Sequence, residues 1–166
     1  MLSEEKIKEV YHDLAAKLTN YLVAGGMDHA SACDITQESF IRLWKKREMI
    51  ENHDSISGFL FAVAKNLQID RYRRNKIISF QEKMEDDSCG TTEQPINKDD
   101  LAYLRNRLRQ ALGQLPESLR EAYTLFQVAE RSVKEIAEIT GTSEANVKVR
   151  IHRAKEKLSN LLQDLQ

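Results

Sequence analysis

This chain of 166 residues has few glycines and prolines, the residues that favour turns, and no long apolar run. Six glycines and two prolines are too few for the many tight turns of an all-β fold, so helices are favoured. The longest apolar run, residues 59–64, is far shorter than the roughly 20 residues that a membrane-spanning helix needs. The first residues lack the basic and then apolar order of a signal peptide, which predicts a cytoplasmic protein.

Cysteine and catalytic motifs are scarce as well. Cys33 and Cys89 lack the paired spacing of a disulfide framework, so we expect free, inert thiols. His29 lies four positions before Cys33, but a closed zinc site needs about four ligands and no second pair is nearby. Phosphate-loop, zinc-protease and serine-hydrolase motifs are also missing. We therefore expect no catalytic residue, no metal and no cofactor.

The net charge of −1 is unevenly distributed. Residues 1–80 carry a net charge of +1 and residues 101–166 carry +3, whereas residues 81–100 carry −5. This acidic segment has no apolar periodicity that would bury a face. It predicts a flexible linker between two domains. The alternative is a surface loop within one domain, although about 20 structureless residues in a compact domain would be unusual.

Apolar residues at intervals of three and four predict three helices in residues 1–80. The first ends at the pair Gly25 and Gly26, and the second runs from about residue 30 to 47 with Phe40, Leu43 and Trp44 in the core. The third begins near Ser57, whose hydroxyl suits a helix cap, and runs to about residue 75. Together they predict a small helical bundle.

Residues 101–166 predict a second helical domain that ends in a helix-turn-helix. Ser132 and Glu135 have the spacing of a capping box, and Gly141 suits the turn between the last two helices. Ser143 suits the next cap. The final helix has apolar residues at positions that would face inward: Val147, Ile151, Ala154 and Leu158. The spacing of Ala137, Gly141 and Val147 is what two crossing helices require.

The opposite face of the final helix carries Lys148, Val149, His152 and Arg153, with no carboxylate before Glu156. Such a face suits phosphates and base edges in a major groove. A solvated basic face near a helix C-terminus is the alternative, because cations also favour that end of the helix dipole. The capping box, turn and anchor spacing together favour DNA binding.

A second polar face lies near the end of the third helix. Asn66, Asp70 and Arg73 share one side, and Tyr72 next to them could stack on an unpaired base. The alternative is a helix end with an Asp70–Arg74 ion pair. Two DNA-competent surfaces joined by a linker predict a bipartite DNA site.

A third stripe runs along the second helix through Asp34, Gln37, Glu38 and Ile41. Polar stripes are usually solvated. An acidic stripe is poorly suited to DNA, which favours a protein partner on this face.

Three segments, in this order, resemble the two-domain members of the extracytoplasmic-function (ECF) group of sigma-70 RNA polymerase sigma factors. Residues 34–40, with the sequence DITQESF, resemble the polymerase-binding segment of region 2. Residues 59–71 resemble the helix that melts and reads the minus-ten element. Residues 115–117 and 133–157 resemble region 4, which reads the minus-thirty-five element. The similarity covers nearly the whole chain.

The resemblance implies an all-α fold of a region 2 bundle (1–80), an acidic linker (81–100) and a region 4 helix-turn-helix (101–166). It implies that the chain directs core RNA polymerase to promoters without doing chemistry itself. It also implies an anti-sigma protein as a further partner. The implied polymerase-binding residues are Asp34, Gln37, Glu38 and Ile41. The implied minus-ten residues are Asn66, Asp70, Arg71, Arg73 and Arg74. The implied minus-thirty-five residues are Asn146, Lys148, Val149, Arg150, His152 and Arg153.

Three positions depart from the family pattern. The family commonly has Trp where this chain has Phe59, and often has Thr where it has Asn146 and Ser where it has Val149. Asparagine still bonds phosphate, whereas Val149 offers only apolar contact, such as to a thymine methyl group.

Two other functions are consistent with the residues alone. One is a free-standing helix-turn-helix regulator that binds a symmetric operator as a dimer. The other is a helical adaptor that binds only proteins, in which reversing the charges of Lys148 and Arg153 would change nothing.

Overall fold

The computed structural model describes residues 1–51, 56–81 and 100–163, and the regular structure in these ranges is helical throughout. The helices in chain order are α1 (Glu4–Ala24), α2 (His29–Lys45), α3 (Ile56–Gln81), α4 (Asp100–Gln114), α5 (Glu117–Gln127), α6 (Val133–Thr140) and α7 (Glu144–Leu161). The all-α prediction is therefore confirmed. Within the same ranges, no helix has the length and apolarity that crossing a membrane would require.

The predicted linker falls mostly outside these ranges. Gln81 ends α3 and Asp100 begins α4, whereas residues 82–99, with Cys89, lie outside the described residues. The division into residues 1–80, 81–100 and 101–166 therefore stays a prediction.

Local chemistry accounts for where the first two helices begin and where the first one ends. The Ser3 hydroxyl accepts a hydrogen bond from the Lys6 backbone N–H at 3.1 Å, and the Asp28 carboxylate accepts one from Ser31 at 3.0 Å. The chain turns after α1 at the predicted glycine pair, where Gly26 has a φ of 103° that residues with side chains rarely adopt. The turn lets α2 pack back against α1.

Helix α3 begins within one residue of the predicted start but differs from the prediction in its cap and at its end. It begins at Ile56 and continues to Gln81, six residues beyond the expected end. Ser57 therefore lies inside the first turn, and its predicted role as the cap is wrong. Its hydroxyl instead donates to the Glu135 carboxylate of α6 at 2.7 Å, a partner 78 positions away that no local pattern indicates.

One predicted core residue lies at the surface. Phe40 and Leu43 are buried as expected, but Trp44 is 39% exposed. Its indole lies under the Arg47 guanidinium, 4.0 Å from the ring centroid, an arrangement that suits a partly solvated aromatic ring. The core assignment of Trp44 is wrong because the residue lies at the edge of the stripe that α2 buries.

Helices α6 and α7 form the predicted helix-turn-helix. The Ser132 and Ser143 hydroxyls accept hydrogen bonds from the backbone N–H groups of Glu135 and Asn146 at 3.1 and 3.2 Å, which confirms both caps. Gly141 has a φ of 69°, the left-handed conformation predicted for the turn. The four residues predicted to face inward on α7 are all buried: Val147, Ile151, Ala154 and Leu158.

The helices before and after the predicted linker share one core. We call α1–α3 the N-terminal group and α4–α7 the C-terminal group. Leu22 and Leu60 of the first group belong to the same buried cluster as Leu125, Ile136 and Val147 of the second. A smaller cluster lies among α4, α5 and α7. The two groups therefore pack against each other instead of standing apart.

This packing explains the apolar run at residues 59–64. Leu60 and Ala64 share one face of α3, and Phe61 lies about 100° around the helix, yet all three are buried. A helix that is apolar around much of its surface is covered on more than one side. Here α1 and α2 cover α3 from one group, and α6 covers it from the other.

Candidate nucleic-acid and protein interfaces

The outward face of α7 is open to solvent. Lys148, Val149, His152 and Arg153 are exposed, as the helical periodicity predicts, with Val149 at 45%. His152 is the one member with a charged neighbour in the described ranges, since its Nε2 lies 3.2 Å from Glu156. Cationic donors and an apolar side chain on one helix face are what base-edge readout requires.

The start of α7 adds backbone and side-chain donors to this face. Residues 143–146 at the start of α7 are exposed, and the positive end of the helix dipole there attracts anions, although the carboxylate of Glu144 partly offsets it. Asn146 is exposed and its amide donates to the Thr142 hydroxyl at 3.1 Å, which holds the side chain near the turn. Arg150 is only half-buried at the side of the helix, so it lies at the margin of the face.

The polar face of α3 is likewise open. Asn66, Asp70, Arg73 and Arg74 are exposed, and their side chains make no hydrogen bond or ion pair with another residue in the described ranges. The Asp70–Arg74 pair expected by the structural alternative is thus not formed. Tyr72 is 67% exposed, so its ring is available to stack on a base.

Arg71 is placed differently from its neighbours. Its guanidinium donates to the Ser31 carbonyl oxygen at 3.2 Å and lies 3.7 Å from the Asp34 carboxylate, so it links α3 to the start of α2. The family resemblance implied a DNA-binding role for Arg71 and a polymerase-binding role for Asp34. The structure brings the two side chains together at the junction of the two candidate surfaces.

The stripe on α2 borders an apolar hollow. Asp34, Gln37 and Ile41 are exposed, with 46% of Ile41 accessible to solvent. Glu38 is half-buried, and its Oε1 lies 3.3 Å from Nε of Arg42. Beside them lies an open hollow of about 360 Å³, whose lining residues are Tyr11, Gln37, Phe40, Ile41 and Trp44. Exposed aromatic and aliphatic side chains flanked by charges are typical of a protein interface.

Two residues of this hollow were missed at the sequence level. Tyr11 is one of the apolar residues at intervals of three and four that predict α1 and its buried stripe, but it is 45% exposed and packs edge-on against Phe40 with ring centroids 5.0 Å apart. Trp44 was assigned to the core. Both are amphipathic aromatics at the edge of a buried stripe, which is the signal that could have identified them.

Cys33 and His29 show no wider ligand set. The Cys33 sulfur lies 3.6 Å from Nδ1 of His29 across one helical turn. Over the described ranges, no group of three or more His, Cys, Asp or Glu side chains is arranged to hold a metal ion.

Two ionisable groups between the N-terminal and C-terminal helix groups have shifted pKa values. Burial alone would raise the pKa of Glu135, but hydrogen bonds from Ser57 and Ser132 and the nearby Arg131 charge outweigh it and lower the pKa below the usual 4.5. Burial, and next the charge of Glu121, raise the pKa of Tyr21. At neutral pH Glu135 is ionised and Tyr21 is neutral, and both shifts move the pKa further from neutrality.

Two sigma-70 families match the chain. Residues 7–77 match the family described as sigma-70 region 2, and residues 105–158 match the family described as sigma-70, region 4. The first match falls within the N-terminal group and the second within the C-terminal group, in the order that the sequence motifs predict.

Whole-chain relatives are similar over nearly the same length. The ECF RNA polymerase sigma factor SigW of Bacillus subtilis is 30% identical over 168 residues, which cover 96% of this chain and 88% of SigW. The ECF RNA polymerase sigma factor SigL of Mycobacterium tuberculosis is 32% identical over 165 residues, which cover 96% of this chain and 90% of SigL. Similarity of this extent is not confined to one domain.

A solved structure shares the fold at lower identity. The sigma factor RpoE in complex with the anti-sigma factor NepR from Bartonella quintana has a TM-score of 0.73 at 20% identity, covering 97% of this chain and 98% of that one. The arrangement of helices is thus shared even where the sequences have diverged.

Proposed function

The chain belongs to the ECF group of sigma-70 RNA polymerase sigma factors, and on this basis we propose which of its surfaces bind promoter DNA and which binds core polymerase. The chain is an alternative sigma factor, a transcription initiation factor that directs RNA polymerase to promoters. The main observation behind this assignment of surfaces is that α3 and α7 each have an exposed polar face within the segments that match regions 2 and 4. The free-standing dimeric regulator gains no support from these comparisons.

In this proposal α7 reads the minus-thirty-five element in the major groove. Lys148 and Arg153 contact base edges or phosphates, and Asn146 at the start of the helix bonds the phosphate backbone. Val149 contributes apolar contact to a thymine methyl group. His152 and Arg150 lie at the margins of this contact, since one faces Glu156 and the other is half-buried.

The exposed face of α3 holds melted DNA at the minus-ten element. Asn66 and the guanidinium groups of Arg73 and Arg74 are free to bind the non-template strand, and Asp70 can accept from a base amino group. Removing a base from the stack costs a few kcal/mol, so a surface that holds the extruded base favours the open promoter. Arg71 contributes chiefly by fixing this face relative to α2 through Ser31 and Asp34.

Core polymerase docks on α2. The carboxylates of Asp34 and Glu38 with Gln37 provide polar and charged contacts, and Ile41 with the adjoining hollow provides apolar area. In protein interfaces, a few well-packed apolar anchors surrounded by polar residues supply most of the affinity. The acidic character of this surface disfavours DNA binding on it, although Asp34 adjoins the DNA face through Arg71.

Three further proposals follow from this role. The chain performs no chemistry itself, because the polymerase makes the RNA. It works in the bacterial cytoplasm, where polymerase and chromosome are found. An anti-sigma protein restrains it, as NepR is in complex with the sigma factor RpoE of similar fold.

The direct test is run-off transcription with purified core polymerase on genomic fragments, with and without this protein. We expect new, sequence-specific initiation that depends on the chain. If no fragment gains a start site, the chain is not acting as a sigma factor and the proposal is wrong.

The α7 assignment has its own test. Arg153→Glu should weaken promoter binding by about 1–3 kcal/mol, or about 5- to 150-fold, if Arg153 reads a base. Lys8→Glu is the matched control, since Lys8 is an exposed lysine on α1 whose reversal changes the net charge equally. An upstream footprint that survives Arg153→Glu unchanged would remove α7 from the proposed contact.

A further inference from the structure

Trp44 forms one wall of the hollow beside α2 and is the only tryptophan of the chain. It is 39% exposed, whereas Phe40 in the same lining is buried. A large exposed side chain has several rotamers open to it, and binding a partner restricts it to one of them at a cost in entropy. A contact that fixes the Trp44 indole in advance therefore raises the affinity for a partner that packs on it.

Arg47, in the turn after α2, makes such a contact. The central carbon of its guanidinium lies 4.0 Å from the centroid of the Trp44 ring, within the distance at which an aromatic face attracts a cation. Its Nη1 also donates a hydrogen bond to the Trp44 backbone carbonyl oxygen at 2.8 Å. Because this hydrogen bond holds the guanidinium close to the indole, the two contacts support each other.

The backbone of Arg47 is held by hydrogen bonds on both sides. Its N–H donates to the Trp44 carbonyl oxygen at 3.3 Å, and its carbonyl oxygen accepts from the N–H of Leu2 at 3.0 Å. Leu2 is fully buried, so the segment before α1 is itself anchored in the core. The Arg47 side chain thus starts from a fixed point, although it lies just past the end of a helix, where backbones commonly fray.

The other surroundings of Arg47 indicate that the indole is its main partner. No carboxylate in the described part of the chain lies within ion-pair distance of its guanidinium. Arg47 is also absent from the lining of the hollow. A cation–π contact is worth more once water is excluded from it, so a partner that covers Trp44 strengthens the contact without having to touch Arg47.

We propose that Arg47 is a positioning residue for polymerase docking, which holds the Trp44 indole in place as a preformed wall of the hollow. This rests on the proposed function, because that function assigns the hollow to core polymerase. Tryptophan is enriched among the few residues that supply most of the affinity of a protein interface. Arg47 acts through this ring and makes no contact of its own with polymerase.

Tryptophan fluorescence of the free chain tests whether Arg47 holds the ring, since Trp44 is the only tryptophan present. Arg47→Ala removes the cation and the side-chain hydrogen bond, so we expect acrylamide to quench Trp44 more strongly and the anisotropy of its emission to fall. Arg47→Lys, which keeps a cation, should restore part of both signals. Lys46→Ala is the matched control, because Lys46 is an exposed neighbouring cation that does not form the cation–π contact. Unchanged quenching and anisotropy in Arg47→Ala would overturn the proposal.

Binding to core polymerase tests whether the held ring matters for docking. We expect Arg47→Ala to weaken the binding of the dye-labelled chain by about two- to fivefold, the factor that an exposed cation–π contact contributes. In a chain that already carries Trp44→Ala, the same substitution should change nothing further, because the ring through which Arg47 acts is gone. Equal losses in both backgrounds would mean that Arg47 contacts polymerase directly, and the positioning role would be wrong.

The same titrations separate this proposal from the proposed function. If Trp44→Ala binds core polymerase as tightly as the unaltered chain does, the hollow is not the docking surface, and that part of the proposed function fails together with the positioning role. If Trp44→Ala weakens binding and Arg47→Ala does not, the docking surface stands and only the positioning role is wrong. A helical circular dichroism signal confirms that each variant is folded. Arg47→Gln, which loses the charge but can still donate to the Trp44 carbonyl oxygen, replaces Arg47→Ala if the latter does not fold.

Discussion

The hollow on α2 makes a quantitative prediction for Ile41→Ala. Fully burying an isoleucine side chain is worth about 1.5–3 kcal/mol, and Ile41 is 46% exposed, so about 1 kcal/mol remains to be gained when polymerase covers it. The substitution should therefore weaken binding to core polymerase by about fivefold. The free energy of unfolding should change by about 0.5 kcal/mol or less, because alanine favours the helix and the lost packing is partial.

The measurement is fluorescence anisotropy of the labelled chain titrated with core polymerase in the absence of DNA. Met49→Ala is the matched control, since Met49 is 79% exposed, apolar and outside the lining of the hollow. We expect Met49→Ala to bind as the unaltered chain does. Equal affinity for Ile41→Ala, or an equal loss in both variants, would contradict the assignment of the hollow to polymerase.

Two further predictions concern stability. Gly141→Ala should lower the free energy of unfolding by about 1–2 kcal/mol, because φ is 69° at this position. Gly113→Ala lies inside α4 with open space around it, so it should be neutral or stabilising in the same thermal melts. Equal shifts of the melting temperature in the two variants would contradict this reasoning. The lowered pKa of Glu135 predicts stability that is present above its usual value of 4.5 and is lost as pH falls through the folded-state pKa. Urea titrations should thus show Glu135→Gln less stable than the unaltered chain at pH 7 and nearly equal to it at strongly acidic pH, and a constant difference would refute the charge-based explanation.

Most of the helices could be predicted because their causes are local. Periodic apolar residues, the caps at Ser132 and Ser143 and the glycine turn at Gly141 act within about four residues of one another. The outward face of α7 followed from the same periodicity. Helix ends were less certain: α3 continues through residues 76–81, where no breaking residue stands, although the apolar stripe used to predict it stops earlier.

The candidate surfaces were predicted less completely. The polar stripe of α2 was predicted, but Tyr11 and Trp44 beside it were assigned to buried stripes. The spacing of apolar residues does not show how much of a helix surface its neighbouring helices cover. The family resemblance implied a minus-ten role for Arg71, whereas helical periodicity by itself placed only Asn66, Asp70 and Arg73 on the polar face of α3. The actual neighbours of Arg71, Ser31 and Asp34, are brought to it by the crossing of α2 and α3.

The sequence by itself determined which segments are helical, where several of them are capped and which side of α7 faces outward, because each depends on contacts within a turn or two. Only the tertiary structure decided that the two helix groups pack together. Lys65 meets Glu121 and Ser57 meets Glu135 across long stretches of chain, and the apolar run at residues 59–64 is buried from two sides. Such contacts arise from how whole helices dock, since burial of their combined apolar surface, rather than any short pattern, selects the partners.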